Sequence, residues 1–226
     1  MRATARPGLA LFDLDHTLLQ GDSDVLWCDF LIARGLLDAT RFGARNAAME
    51  RDYRAGTVGT QAFCDFYVST LAGRSVAEWQ PLREAFLAEA IAPRLPAAAH
   101  ALVRRHQAAG DRVVLSTATN RVITELTAAH LGIEHLIATE CETAPDGRLS
   151  GRTLGQVNMR EGKPLRLAGW LQRRGERLAD FTSRFYSDSL NDLPLLEQVD
   201  QPVAVDPEPR LAAIAAERGW QVISLR

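Results

Sequence analysis

The stretch Leu9-Ala10-Leu11-Phe12-Asp13-Leu14-Asp15-His16-Thr17-Leu18-Leu19 decides how the rest of the chain is read. It opens on Leu9 to Leu14, an apolar run of strand length, and carries two carboxylates at its end. A run without polar alternation suits a strand buried on both faces, as in a parallel sheet, with its functional groups at the carboxyl end. Asp13 and Asp15, two positions apart in a loop, can both face one centre, and Leu14 between them leaves backbone groups free to bind phosphate. Standing alone, such a pair reads more readily as an ordinary acidic strand-to-helix loop.

Outward from that strand the pattern changes. From Ser23 to Ile91 apolar residues recur at helical spacing, first as Leu26, Trp27, Phe30 and Leu31, later as Phe63, Phe66, Tyr67 and Leu71. Gly35, Gly56, Gly73 and the pair Pro93 and Pro96 fall where such helices stop or reverse. After Pro96 the chain alternates. A helix to Ala109 precedes a strand over Arg112 to Ser116, a helix over Arg121 to Leu131 and a strand over His135 to Thr139. A glycine-punctuated excursion then runs to Gly155. Beyond it come a helix from Glu161 to Arg174, a strand over Arg184 to Tyr186, a helix over Asn191 to Val199 and a strand over Pro202 to Val205. A helix over Pro209 to Arg218 and a strand from Trp220 to Leu225 close the series. This rhythm predicts an α/β fold, a doubly wound, Rossmann-like parallel sheet with helices on both faces. The expected core comprises residues 1–20 and 93–226, and the expected all-helical cap residues 21–92.

Loops after the carboxyl ends of strands form the ligand crevice of such a sheet, so three further segments carry weight. Val113-Val114-Leu115-Ser116-Thr117-Ala118-Thr119-Asn120 delivers hydroxyls into a turn, where Ser116 and Thr117 can meet a phosphoryl oxygen. Thr119 or Asn120 equally suits the cap of the following helix. Glu161-Gly162-Lys163-Pro164 places a lysine at a helix start, unfavourable to the helix dipole unless an anion lies nearby, although taken alone it reads more readily as a solvated surface lysine. Tyr186-Ser187-Asp188-Ser189-Leu190-Asn191-Asp192 offers hard oxygen ligands suited to magnesium. Asp192 by itself also fits a first-turn acid.

Composition narrows the classes. A chain of 226 residues with 46% hydrophobic content buries one substantial core, and a net charge of -2 provides no basic field for a nucleic-acid backbone. No apolar run approaches the length of a membrane span, and Met1 to Leu11 leaves no room for the apolar core of a signal peptide. Three scattered cysteines, Cys28, Cys64 and Cys141, fit reduced thiols and a cytoplasmic setting. The histidines form no zinc-spaced cluster. A small anionic substrate needs only a local positive site, and neither nucleic acid nor membrane is expected as a partner.

Taken in order, Asp13-Leu14-Asp15-His16-Thr17, Ser116, Lys163 and Asp188-Ser189-Leu190-Asn191-Asp192 resemble the motifs of the haloacid dehalogenase superfamily. The resemblance spans Ala10 to Val205. It is nearest to the phosphoserine phosphatase-like branch, whose helical cap lies between the first and second motifs. It implies Asp13 as nucleophile, forming an aspartyl phosphate, and Asp15 as general acid and base. It further implies Mg2+ held by Asp13, the Asp15 carbonyl, Asp188 and Asp192. Leu14, Ser116, Thr117 and Lys163 would receive the phosphate. An aspartate at the second position separates phosphotransfer members from the dehalogenases.

Substrate choice falls to the cap. Asp22 stands where phosphoserine phosphatases of this branch carry a glutamate that meets the substrate amine, but the helix over Thr60 to Leu71 has no arginine for a substrate carboxylate. The wording from Leu11 to Asp24, then Trp27, and later Thr117-Ala118-Thr119-Asn120-Arg121 resembles a histidinol-phosphatase-like subgroup. This implies an amino-alcohol phosphate such as histidinol phosphate, with Asp22 on the ammonium, Trp27 or Tyr67 stacking on a ring and Asn191 orienting substrate or metal waters. Trp27 fits the cap core equally well. Phosphoserine, a broad range of monoesters, phosphotransfer to another acceptor, and a catalytically silent metal-binding module are the competing readings.

Overall fold

Period-2 burial organises the sheet of this computed structural model, which describes residues 6–55 and 57–226 apart from the side chains of residues 50, 53 and 54. Along β1 (Gly8–Phe12), Leu9 and Leu11 enter one hydrophobic cluster while Ala10 and Phe12 enter another. The neighbouring β2 (Arg112–Asn120) does the same, with Val114 on one face and Val113 and Leu115 on the other. Continuous apolar runs therefore mark strands covered on both sides. β3 (His135–Thr143), β4 (Leu149–Leu154), β5 (Thr182–Ser187), β6 (Gln201–Val205) and β7 (Gln221–Ile223) complete a seven-stranded sheet of order β4-β3-β2-β1-β5-β6-β7. All pairings are parallel except β3 with β4. The doubly wound α/β expectation holds. Strand order reverses between β1 and β5, the switch point at which ligands bind in such sheets.

Between β1 and β2 the described residues form helices: α1 (Ser23–Ala33), α2 (Ala39–Arg54), α3 (Thr60–Ser69) and α4 (Val76–Phe86). Each start is chemically marked where a side chain can serve. Asp22 caps α1, and Ser75 and Glu78 form a capping box on α4. A wider π turn at Leu87–Ile91 and a 3-10 turn at Ala92–Arg94 return the chain to α5 (Ala97–Ala108). α6 (Arg121–His130), α7 (Gly162–Gln172), α8 (Leu193–Leu196) and α9 (Pro209–Arg218) connect the later strands. Gly56, expected as a helix stop, lies outside the described residues. No described helix is long and apolar enough to cross a membrane.

Two elements depart from expectation. The glycine-punctuated excursion after Thr139 is a β-hairpin: β3 continues to Thr143 and turns where Gly147 takes φ 82°, with Ala144 N–H donating to Arg148 O at 2.7 Å. The helix expected from Asn191 is a 3-10 turn, Leu190–Asp192, followed by the short α8. Pro194 lacks an N–H and is tolerated in a first turn, so the α-helix starts there.

Candidate active site

The loop after β1 is wound tightly on Leu14. Its carbonyl accepts from the amides of Thr17, Leu18 and Leu19 at 3.2, 3.0 and 2.9 Å, and His16 takes a left-handed φ of 58° to complete the turn. The Leu14 N–H meets no backbone acceptor among the described residues and stays available to an oxyanion. Asp13 continues the line of β1, its amide donating to Tyr186 O at 3.0 Å, so its carboxylate reaches the switch point between β1 and β5.

Lys163 answers the question posed by its place at a helix start. Its ammonium donates to Asp13 Oδ1 and to Asp192 Oδ2, both at 2.6 Å, with Lys163 only 2% exposed. Burial alone would strip the lysine of its proton, but Asp13 and Asp192 together outweigh it and hold the group above its ordinary value. The Asp13 carboxyl is pushed up to about 7, by burial first; Lys163 opposes the rise, while Asp192 and Asp15 add to it. Asp188 is raised well above the usual carboxylate range, again by burial first and then by Asp13. Thr17 ties the two sides together. Its hydroxyl accepts from Asp188 N at 3.0 Å and lies 3.0 Å from Asp188 Oδ1 and 3.4 Å from Asp13 Oδ2.

Two carboxylates thus hold one ammonium and a third, Asp188, lies close to Asp13, an excess of negative charge that a divalent cation would balance. No cluster of three or more His, Cys, Asp or Glu side chains converges on a metal position among the described residues. Magnesium needs no such cluster, since it commonly takes one or two carboxylates and keeps several waters. The all-oxygen set of Asp13, Asp188 and the Asp15 carbonyl fits it. Asp192, expected as a metal ligand, is turned instead to Lys163 and to the Ser187 hydroxyl at 2.8 Å.

Ser116 stands at the end of the straight part of β2, where the register with β3 shifts before Asn120. Its Oγ accepts from Asn158 Nδ2 at 3.1 Å, leaving its own proton to donate elsewhere. The same amide nitrogen reaches Thr117 O at 3.0 Å and Ile137 O at 2.9 Å, and so fixes the cradle formed by Ser116 and Thr117. Asn158 is fully buried, and its Oδ1 has no hydrogen-bond partner among the described residues. Asn120 caps α6 by accepting from Ile123 N at 3.2 Å. Asp15 lies apart from the lysine: Ser23 N donates to its Oδ1 at 2.7 Å, and Thr119 Oγ1 lies 2.9 Å from its Oδ2.

The residues expected at the rim fare differently. Asp22 is buried, its Oδ1 accepting from the amides of Asp24 and Val25 at 3.0 Å as the cap of α1. Trp27 is not a wall of the site. It is fully buried between Phe30, Trp79 and Phe86, and its indole N–H donates to Thr70 Oγ1 at 3.1 Å. The apolar face of α1 needs this core, and a tryptophan supplies the largest area for it. Tyr67 is likewise fully buried against Phe63 and Phe66, its hydroxyl donating to Asn46 at 3.0 Å. Asn191 is held through its Oδ1 by Arg160 Nε at 2.8 Å, and Arg160 itself takes a left-handed φ of 50°. Sequence reading named no role for Thr17, Asn158 or Arg160. Only Thr17 lay inside a quoted motif.

On the helical side, α3 packs against the segment that leads into α7. Phe63, Cys64, Phe66 and Tyr67 of α3 share a hydrophobic cluster with Val157 and Met159 from the approach to α7. On the opposite flank a cavity of about 550 Å³, lined by His16, Asp188, Ser189, Asp206, Glu208 and Arg226, reaches Asp188.

Comparison with known proteins yields a consistent set. The model of the haloacid dehalogenase-like hydrolases matches residues 10–197. The chain is 42% identical to the histidinol-phosphatase of Neisseria meningitidis serogroup C (strain 8013), over 96% of this chain and 99% of that protein. It is 34% identical to a phosphoserine phosphatase of Mycobacterium tuberculosis (strain ATCC 25618 / H37Rv), over 96% of this chain and 70% of that protein. Among solved structures, a protein of unknown function from Bordetella pertussis Tohama I superposes with a TM-score of 0.92 at 45% identity, covering 99% of this chain and 100% of the other. A substrate-bound phosphoserine phosphatase shares the fold with a TM-score of 0.68 at 17% identity, covering 97% and 94%.

Proposed function

The chain belongs to the haloacid dehalogenase-like hydrolases and is a phosphatase, and from that premise we propose that it hydrolyses a small amine-bearing phosphate monoester such as histidinol phosphate, using magnesium and an aspartyl phosphate on Asp13. The observation that carries this reading is the contrast between two carboxylates two residues apart. Asp13 is buried 2.6 Å from the Lys163 ammonium, whereas Asp15 is held by an amide and hydroxyls. Different environments suit different roles. Asp13 attacks phosphorus as the ester O–P bond breaks, and Asp15 gives its proton to the departing alcohol. Asp15 then takes a proton from the water that attacks phosphorus and releases Asp13. Lys163, the Ser116 hydroxyl and the amides of Leu14 and Thr117 hold the phosphoryl oxygens.

Repulsion between a carboxylate and a phosphate costs about 4 kcal/mol for each pair of unit charges roughly 4 Å apart at an effective dielectric near 20. A divalent cation on Asp13, Asp188 and the Asp15 carbonyl supplies the charge that offsets it. The amine is argued from the acidic wall beside Asp15. Asp22 is its other acid; besides burial, it and Asp15 are near enough to raise the Asp24 carboxyl, and an ammonium between Asp15 and Asp22 would relieve that crowding. α3 offers no arginine to a substrate carboxylate, and Arg74 lies over the Trp79 ring at 4.6 Å. The name of the 42% identical relative points the same way. Cys28, Cys64 and Cys141 are free thiols, in keeping with a cytoplasmic setting.

Phosphate release should be measured with magnesium over a monoester panel that includes histidinol phosphate and phosphoserine, beside an Asp13→Asn variant. The expected result is magnesium-dependent release, greatest on histidinol phosphate and lost in the variant. Preferential hydrolysis of phosphoserine would overturn the substrate, and equal turnover by Asp13→Asn would overturn the nucleophile.

A further inference from the structure

Two pieces of sequence that the reaction above leaves unused meet behind the general acid. Ser23 and Asp24 come from the first turn of α1, and Thr119 and Asn120 from the end of β2; all four are at most 2% exposed. Thr119 Oγ1 lies 2.9 Å from Asp15 Oδ2 and 3.1 Å from Asp24 Oδ2, and it accepts from Ser23 Oγ at 3.1 Å. Asn120 Nδ2 approaches the other Asp24 oxygen at 3.5 Å, and Thr117 Oγ1 lies 3.4 Å from Asp15 Oδ2.

A hydroxyl has one proton and two lone pairs. Thr119 therefore donates to one of the two carboxylates, and its contact with the other is a hydrogen bond only if that carboxyl brings a proton of its own. Asp24 is the group suited to do so. It is fully buried, no ion pair to it exists among the described residues, and burial with Asp22 and Asp15 nearby disfavours its charge. With Asp24 as a neutral acid donating to Thr119, the Thr119 oxygen accepts from Asp24 and Ser23 and gives its proton to Asp15. Every donor and acceptor on that hydroxyl is then used once.

We propose that Asp24, acting through Thr119, is the positioning residue of the general acid: it orients the Thr119 hydroxyl toward Asp15 and fixes the Asp15 oxygen that exchanges protons with the leaving group. No bond to substrate is made or broken at Asp24 or Thr119. The proposal rests on the reading of Asp15 as general acid and deepens it.

Leaving-group dependence separates this role from a structural one. An aryl ester such as 4-nitrophenyl phosphate departs without protonation, whereas an alkyl phosphate needs the acid. Turnover of both should be measured for the wild type and for Asp15→Asn, Asp24→Asn, Thr119→Val and Thr119→Ser. Asp24→Asn and Thr119→Val are expected to lose at least about tenfold more kcat on the alkyl than on the aryl ester, part of the range that general acid catalysis supplies. Thr119→Ser, which keeps the hydroxyl, is expected to retain the wild-type ratio. Aryl turnover in each variant reports that the site is folded, and Thr119→Val carries the test alone should Asp24→Asn fail to fold. Equal losses on both esters in Asp24→Asn and Thr119→Val would overturn the proposal while a split in Asp15→Asn leaves the general acid standing. No split in Asp15→Asn would overturn both.

Discussion

At the residue scale the molecule places titratable groups under the site as well as in it. His106 of α5 is 4% exposed, with Nδ1 2.6 Å from Asp111 Oδ2 and Nε2 2.8 Å from the Tyr186 hydroxyl, directly beneath Phe12 and Tyr186, whose rings stack at 4.7 Å. Asp111 accepts, so the neutral ring carries its proton on Nδ1 and Tyr186 donates to Nε2. Gly8 makes room for this arrangement, because a Cβ there would lie 1.8 Å from Asp111 Oδ1. Burial lowers the His106 pKa more than Asp111 raises it, with Arg184 and Arg105 also lowering it. The unfolded chain therefore takes up this proton at a higher pH than the folded one. The stability His106 contributes is complete above its ordinary value near 6.5 and is lost as pH falls below it. Urea denaturation at pH 7 and pH 5 is expected to show a smaller difference for His106→Gln than for the wild type, with the variant about 1–3 kcal/mol less stable at pH 7; equal differences would mean that His106 does not titrate in this window. Legibility at this scale follows the same logic. Asp13, Ser116 and Lys163 could be read because each sits at a strand end or helix start where its chemistry is out of place otherwise. Asp22, Trp27 and Asp192 were ambiguous, because a carboxylate or indole near a site serves a cap, a core or a lysine as well as a ligand, and only the partner decides. Asn158 was illegible: its partners come from β2 and β3, 41, 42 and 21 residues away.

At the element scale the parallel strands were legible from their apolar runs, and the hairpin was not. β3 past Thr139 reads Glu140-Cys141-Glu142-Thr143, half-exposed residues at the sheet edge without a buried face to set a pattern. That hairpin grips α3. Asp65 accepts from Thr153 Oγ1 at 2.8 Å, Thr153 N at 3.3 Å and Gln61 Nε2 at 3.0 Å, and these bonds outweigh partial burial to hold its carboxyl below the usual range. The turn after α3 is tied in as well, with Gly73 N donating to Leu149 O and Leu149 N to Arg74 O, both at 2.9 Å. Since α3 packs on Val157 and Met159, these contacts hold it against the segment that leads into α7. Asp65→Ala removes bonds to a charged acceptor, and amide exchange in α3 is expected to quicken about tenfold, equivalent to ~1.4 kcal/mol, with α1 unchanged. Hydrogen-exchange mass spectrometry checks this. Equal acceleration of α1 and α3 would mean that the helical segment moves as one body.

At the scale of the whole molecule, the question is whether the helical segment is a separate unit set on the sheet. Its hydrophobic contacts divide it. Trp27 and Phe30 of α1 and Trp79 and Phe86 of α4 belong to the same cluster as Phe12 of β1, Val113 and Leu115 of β2 and Val203 of β6. The aromatic contacts are close, with ring centroids 5.0 Å apart between Trp27 and Phe86 and 5.6 Å between Trp27 and Trp79. α3 belongs to a smaller cluster, which it shares with Cys28 of α1 and with Val157 and Met159. A cluster shared by α1, α4 and the sheet is expected to make them one cooperative unit, whereas α3, joined to α1 through the smaller cluster alone, is expected to open at lower cost. Opening of α3 alone is then expected to leave Asp15, Ser23 and Asp24 in place relative to β2, because α1 shares its cluster with the sheet. Trp27→Ala tests this arrangement directly. Emptying a fully buried tryptophan site is expected to cost about 3–5 kcal/mol, and the cost should fall on both parts at once. Urea unfolding followed by the helical circular-dichroism signal and by amide exchange in β1 and β2 is expected to shift to lower denaturant by the same amount in the variant. If the helical signal were lost first while β1 and β2 kept wild-type protection, the shared cluster would not couple the two parts, and α1 would open along with α3.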